Sequence, residues 1–366
     1  MSELAKINQL VRSSAQPPLS WHFDPKVLAV EMGVLFEQGP NYVGHELMVP
    51  NLGDYHVLDS AGQMLVRNPN GVELLSNICR HRQATILQGR GNAQHVVCPF
   101  HRWTYQMDGK LMGAPHFPQN PCLHLNKSPL QKWNGLLFSG KCDVARDLAQ
   151  IGVMQELDFS GYMLDRVQVT EYAFNWKTFI EVYLEDYHVL PFHPGLGNFV
   201  DCDKLKWEFG EQYSVQTVGM SNNLRKSCSD IYARWYEQVL RYHGGKLPKY
   251  GAIWLTYYPN IMVEWYPGTL VISTLIPRGP EACTNIVEFY YLEDIVRFQR
   301  DYVAAEQKAY NETAVEDDII CLRMHQGRKS LYQRGIDEQG PYQTPMEDGM
   351  LHFHEFLRRK LDPHLK

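Results

Sequence analysis

Two cysteines and two histidines carry the first recognisable chemistry of this chain. In the stretch SNICRHRQATILQGRGNAQHVVCPFHRWTY, Cys79 and His81 are one residue apart and Cys98 and His101 two, with sixteen residues between the pairs. A structural zinc site usually groups its ligands by type, two Cys in one knuckle and two His in the other. Alternation within each loop suits a different arrangement. Both thiolates hold one iron and both imidazoles the other, in a two-iron, two-sulfide cluster whose neutral imidazoles raise its potential. Pro99 stiffens the second loop, and Gly89, Gly91 and Gly109 relax the turns on either side. Trp103, Tyr105 and the loop amides are expected to cover the cluster and tune it.

A second group lies in NWKTFIEVYLEDYHVLPFHPGL. Its apolar spacing predicts a helix over 175–190 that breaks at Pro191. Such a helix puts Glu181, Glu185 and His188 on one face, at i, i+4 and i+7, and points Asp186 elsewhere. A turn beyond Pro191 then brings His193 beside His188. Two neutral imidazoles and one carboxylate form the facial triad of a non-haem Fe(II) centre, which leaves positions open for oxygen.

The elements that must position these groups fall into two kinds. Between about 45 and 140, short apolar runs (ELMVP, DYHVLD, QMLVRN, VELLSN, HVVCPF, LLFSG) alternate with turn signals, which predicts an all-β module. Beyond a bridge over 143–166, RVQVTEYAF, QYSVQTV, AIWLTYYPNIMVEWY, TLVISTLIP and TNIVEFYYL predict an antiparallel sheet with one apolar face. The stretches from Glu293 to Arg328 and from Met346 to Leu361 read as helices. The fold class is therefore α+β, an all-β N-terminal domain followed by a sheet covered by helices.

Composition narrows the setting. The chain has 366 residues, 44 % apolar and 21 % charged, with a net charge of −6 and no Lys/Arg-rich block, so nucleic acid and anionic membrane surfaces are not expected partners. No apolar run approaches the ~18–20 residues of a membrane span. The start MSELAKINQLVRSS lacks the apolar core of a signal peptide, so a cytoplasmic location is expected. Eight scattered cysteines are expected to be reduced thiols, six of them (Cys122, Cys142, Cys202, Cys228, Cys283, Cys321) small buried hydrophobes.

The sequence CRHR…CPFHRWTY, with DG and Leu111 next in line, resembles the Rieske [2Fe-2S] signature of the non-haem iron oxygenases, except that Gln83 stands where that family often has Gly. NWK followed by an acid, YH and a second His resembles their catalytic motif. The resemblance runs from about residue 20 to the C-terminus and implies a helix-grip (START-like) catalytic domain over 156–366. A Rieske domain over 41–155 and a helical lead-in over 1–40, packed on the catalytic domain, complete the expected organisation. It also implies an aspartate ligand on a late helix. VEDDIICLRMHQGR supplies Asp317 if Cys321 and Gly327 hold the register, or Asp318 if Gln326 does. Glu185 falls where the family has an acid joining the two metal sites across a subunit boundary. Its implied partners are His188 and His101 of the partner subunit, in a closed ring of at least three chains.

The resemblance further implies a terminal oxygenase component using a [2Fe-2S] cluster, mononuclear Fe(II) and O2. Electrons would come from a separate NAD(P)H-dependent reductase, directly or through a ferredoxin, and the chain shows no GxGxxG fingerprint of its own. Glu at position 185 is similar to the branch that cleaves quaternary amines such as carnitine. A substrate of the choline, carnitine or betaine type is therefore expected, with an aromatic-ring dioxygenase as the alternative and a Rieske electron carrier as a third reading. Trp254, Tyr257, Tyr258, Trp265 and Tyr266 are candidates for an aromatic cage around a quaternary ammonium.

Overall fold

The computed structural model describes residues 16–58, 62–222 and 229–365. Residues 1–15 of the lead-in and Cys228 lie outside them. The chain divides into two compact units. One spans Pro40–Arg146, and the other combines Met1–Gly39 with Asp147–Lys366.

The first unit is built from short strands. A five-stranded sheet runs in the order Arg90–Asn92, Asp54–Leu58, Gln63–Asn68, Gly71–Ser76, Lys127–Ser128, and two three-stranded sheets accompany it. ELMVP departs from expectation: Glu46–Met48 form a 3-10 turn started by the His45 side chain, which accepts from the Leu47 amide. The core gathers Met64, Val66, Leu75, Val96, Trp103, Tyr105 and Leu111 around Cys79 and Cys98.

The second unit centres on a seven-stranded antiparallel sheet. Its order is Tyr162–Tyr172, Ala282–Leu292, Thr269–Gly279, Ile261–Tyr266, Ala252–Tyr257, Tyr213–Met220, Val200–Phe209. The helix Arg300–Gln333, 34 residues long, contributes Tyr302, Val303, Ala305 and Ala309 to the core formed with this sheet. Directly paired residues on neighbouring strands form cross-sheet rows. Gln216 pairs with Trp254, Trp254 with Glu264, Glu264 with Val271, and Val271 with Phe289. Side chains alternate between the two faces of a strand, so such a row shares one face.

The expected helix over 175–190 is shorter. Asn175 caps it by accepting from the Lys177 amide, and it ends at Tyr183. The Asp186 amide then donates to the Met346 carbonyl at 3.0 Å, which takes the chain out of the helical path. Pro191 does not break this helix. It sits in a separate short turn, Val189–Phe192, as its third residue, where a missing N–H leaves no intrahelical bond unmade. Gly349 lets the C-terminal helix approach closely, since a Cβ there would meet Trp207 at 2.3 Å and the Leu184 carbonyl at 2.9 Å.

Among the described residues no helix is long and apolar enough to cross a membrane.

Candidate metal centres

The two loops carrying the Cys/His pairs are built to one plan. In the first, the Cys79 amide donates to the Ala84 carbonyl (2.9 Å) and the Gln83 amide to the Cys79 carbonyl (3.1 Å). In the second, the Cys98 amide donates to the Trp103 carbonyl (2.9 Å) and the Arg102 amide to the Cys98 carbonyl (3.1 Å). Closing each turn requires a left-handed residue, and Gln83 (φ 56°) and Arg102 (φ 60°) occupy those positions. This explains why a glycine is at home where Gln83 stands.

The loops present two buried thiols and, nearer the surface, two imidazoles whose centroids lie 4.6 Å apart. His81 stacks on Trp103 at 5.0 Å and meets the edge of Phe117. The Tyr105 hydroxyl lies 3.5 Å from Cys79 Sγ and also accepts from the Arg80 amide. Burial pushes the Cys79 thiol up, but the Tyr105 hydroxyl and the His81 and Arg82 amides outweigh it, so its pKa is lowered. The donor set fits a two-metal cluster on two observations. His81 Nδ1 is buried without a hydrogen-bond partner. Among the described residues, the single group of three or more Cys, His, Asp or Glu whose ligand atoms converge on one ion lies elsewhere in the chain.

That group is His188, His193 and Asp317, with ligand atoms all within 4.8 Å of one another. His188 starts the turn Val189–Phe192 and His193 ends it, while Asp317 comes from the long helix. Asp317 Oδ1 lies 3.5 Å from His188 Nε2 and 3.0 Å from His193 Nε2. His193 Nε2 and Asp317 Oδ1 are both buried and engaged in no properly aligned hydrogen bond. The outer nitrogens are held by carboxylates. His188 Nδ1 donates to Glu185, whose Oε2 also accepts the His188 amide at 3.0 Å. His193 Nδ1 donates to Glu316 Oε2 at 2.7 Å. Each carboxylate fixes the tautomer that turns Nε2 inward, as in metal sites where a second carboxylate orients the ligating imidazole. Burial alone lowers the pKa of His188, but Asp317 and Glu185 outweigh it and push it up to about 10. The surroundings therefore favour positive charge at this point, and three convergent N/O donors suit a divalent iron.

Next to the triad lies a cavity with an unusual charge pattern. It is lined by Asp186, Glu264 and Glu306 as well as by His188, His193 and Asp317. Glu264 projects from Ile261–Tyr266, the fourth and central strand of the sheet, and is 2 % exposed. Trp254 Nε1 donates to the Tyr266 hydroxyl (2.9 Å), which donates to Glu264 Oε2 (2.6 Å). Glu306 receives the Tyr291 hydroxyl on Oε2, and its Oε1 is buried without a partner. Asp186 receives the Gln216 amide on Oδ1, and its Oδ2 is likewise unpartnered. Burial raises all three carboxyls, Asp186 and Glu264 to about 7 and Glu306 to about 8.

Several expectations change here. Asp186 does not point away; with the helix ended at Tyr183, it faces the cavity beside Gln216. Glu181 does not share a face with Glu185 and His188. It is fully buried, accepting from His22 Nε2 and His354 Nε2 (3.0 Å each) and from Arg328. Asp318 is not in the converging group, whereas Asp317 is. Trp254 and Tyr266 line the cavity. By strand alternation Tyr257 and Trp265 lie on the opposite face; Tyr257 donates to Asp147 (2.9 Å) and Trp265 meets the Tyr250 ring edge-on. Tyr258 lies just past its strand and bonds His352 instead. Glu264 and Glu306 escape a reading by local motif, although a glutamate inside the apolar run IMVEWY is a usable signal. Glu316 stands out in the sequence only as part of an acidic cluster.

Known proteins match both units. Residues 40–133 match the Rieske [2Fe-2S] domain family, and residues 159–363 match the ring hydroxylating alpha subunit (catalytic domain) family. The chain is 62 % identical to putrescine 2-hydroxylase of Ralstonia nicotianae, over 99 % of its own length and 100 % of that protein. It is 25 % identical to chloroplastic choline monooxygenase of Amaranthus tricolor, over 94 % of its length and 78 % of that protein. In fold it is similar to the quaternary ammonium Rieske monooxygenase CntA, with a TM-score of 0.76 at 20 % identity, covering 94 % of this chain and 95 % of that one.

Proposed function

Given that the chain belongs to the ring hydroxylating oxygenase alpha-subunit family and carries a Rieske [2Fe-2S] domain ahead of its catalytic domain, we propose that it is the terminal component of an amine hydroxylase. Its substrate in this reading is a small aliphatic diamine of the putrescine type, hydroxylated on carbon. The net reaction takes one C–H bond, one O2, two electrons and two protons to one C–OH bond and one water, and a separate reductase supplies the electrons. Iron held by His188, His193 and Asp317 would supply the oxygen chemistry, and Cys79, Cys98, His81 and His101 would hold the electron-transfer cluster.

One observation carries the substrate class: Glu264, Glu306 and Asp186 line the triad's cavity, with no Lys or Arg in its lining among the described residues. Burying carboxylates without a cationic partner is costly, and an ammonium group on the substrate supplies the partner. A primary ammonium donates three hydrogen bonds, which carboxylates and tyrosine oxygens accept. A quaternary ammonium donates none and is better served by bare aromatic faces. The cavity has aromatic rings too, Trp235 and Trp254 among them, but its buried acids support a primary amine over the expected choline or carnitine type, and the 62 % identical putrescine 2-hydroxylase agrees with that choice.

The protein's own contributions are positional. Glu185 and Glu316 orient the two imidazoles. Trp254, through the Tyr266 hydroxyl, fixes the Glu264 carboxylate, and the apolar side chains of Val189, Leu196 and Val287 flank the aliphatic stem. The test is oxygen uptake with a surrogate reductase, comparing putrescine with choline, carnitine and aromatic acids. Putrescine-dependent uptake with a hydroxylated diamine product is expected. Uptake driven only by the quaternary amines or the aromatic acids would overturn the reading.

A further inference from the structure

Glu306 is fully buried on the long helix, and its Oε1 meets no hydrogen-bond donor. Such a group costs stability unless a donor reaches it. Tyr291 serves only Oε2. The nearby cation is Arg166: one terminal nitrogen donates to Gln168 (2.7 Å) and the guanidinium lies 4.8 Å over the Phe289 ring, while its Nε is buried without a partner and makes no hydrogen bond to Glu306. The charge of Arg166 reaches Glu306, but more weakly than the opposing charge of Glu264.

Position gives this unmet acceptor a meaning. Glu306, Tyr310, Thr313 and Asp317 recur at i, i+4, i+7 and i+11 on Arg300–Gln333, and all four line the cavity. Eleven residues of helix rise about 16 Å, so Glu306 and the candidate iron ligand Asp317 mark the two ends of one helix face. Glu264 enters the same cavity from the central strand, beside Tyr310, which lies between Glu306 and Asp317 on the helix. Of the three buried acids of the cavity, Asp186 is held by Gln216, and Glu306 is the one at the end of the helix face away from the triad's Asp317.

We propose that Glu306 is the receptor for the distal ammonium of a diamine whose proximal ammonium is held at Glu264, so that the two together set chain length and the carbon presented to the triad. This rests on the amine-hydroxylase reading above and extends it. With both ammonium groups seated, the two carboxylates are neutralised and Glu306 Oε1 gains its missing donor. A monoamine with the same number of carbons ends in a methyl group short of Glu306 and leaves the carboxylate unpaired, which disfavours it as a poorer match.

The test is calorimetric binding of 1,4-diaminobutane and butylamine to the full-length protein, wild type and Glu306→Gln, with product analysis alongside. Glu306→Gln keeps the shape and removes the charge. It is expected to weaken diamine binding by about tenfold or more, to weaken butylamine far less, and to scatter hydroxylation over more than one carbon. Glu306→Asp withdraws the carboxylate by one methylene and is expected to move the length preference towards 1,5-diaminopentane. Equal weakening of both amines, no weakening, or an unchanged length preference in Glu306→Asp would each overturn the receptor role. Wild-type protein that binds no amine sinks the amine-hydroxylase reading itself, and the receptor with it. Wild-type protein that binds the diamine, beside a variant that keeps the diamine-to-monoamine ratio, sinks the receptor alone.

Discussion

Asp317 and Asp318 are neighbours in sequence with opposite environments. Asp317 Oδ1 converges with two imidazole nitrogens, while Asp318 stays outside the group. Asp317→Ala is therefore expected to lose the mononuclear iron and retain the visible absorption of the [2Fe-2S] cluster, whereas Asp318→Asn keeps both. Metal analysis beside the spectrum checks this, and iron loss in the Asp318 variant would reverse the assignment. The buried acids of the cavity make a second prediction. Burial raises Glu264 to about 7 and Glu306 to about 8, so below those values each carboxyl carries a proton. An ammonium needs the ionised form, so diamine binding expels protons near neutral pH. Affinity should climb from pH 6 to pH 8.5, because alkylammonium groups stay charged until about pH 10. Calorimetry in buffers of different ionisation heat counts the protons released, and none at pH 6.5 would contradict the scheme. The candidate Cys/His ligands and His188 and His193 could be picked out because each pair lies within a few residues in sequence, whereas Asp317 stands more than a hundred residues away. Glu264 and Glu306 come from a strand and a helix that only the folded sheet brings to one cavity, and no local spacing announces such a pair.

At the scale of elements, six of the seven strands of the central sheet were readable, the edge strand Val200–Phe209 was not, and the helix after Asn175 ends earlier than its apolar spacing suggests. Runs such as TLVISTLIP and TNIVEFYYL carry their β character locally, and they became the strands Thr269–Gly279 and Ala282–Leu292. The end of Trp176–Tyr183 is set instead by the bond from the Asp186 amide to Met346, a residue far along the chain. The same helix is tied from its other side by Glu181, which joins the lead-in through His22, the long helix through Arg328 and the C-terminal helix through His354. Nearby, Lys177 Nζ donates to Glu31 (2.7 Å), and Trp176 Nε1 donates to the same carboxylate (2.9 Å). Removing one member of a buried charge pair typically costs about 3–5 kcal/mol. Glu181→Gln is therefore expected to destabilise the catalytic unit by that order, read as a lowered denaturant midpoint. A loss under about 1 kcal/mol would show that Arg328, His22 and His354 find other partners.

For the whole molecule, the proposed reaction requires a path for electrons from the cluster to the triad. Glu185 Oε1 already holds His188 Nδ1, and we read it as the acid that also meets His101 of the partner subunit in a ring of copies. Glu185→Gln should preserve the content of both metal centres and slow single-turnover product formation. An unchanged single-turnover rate would remove the bridging role. The long helix has a bearing on how substrate length can change. Asp317 and Glu306 ride on one unbroken rod, so when that rod drifts, both ends travel together and the gap between them stays calibrated. Glu264 stands on a different body, the sheet. The span between the two ammonium seats therefore crosses from rod to sheet, and laboratory evolution towards shorter or longer diamines should act on that seam, through the side chain at 306 or the packing beneath Glu264.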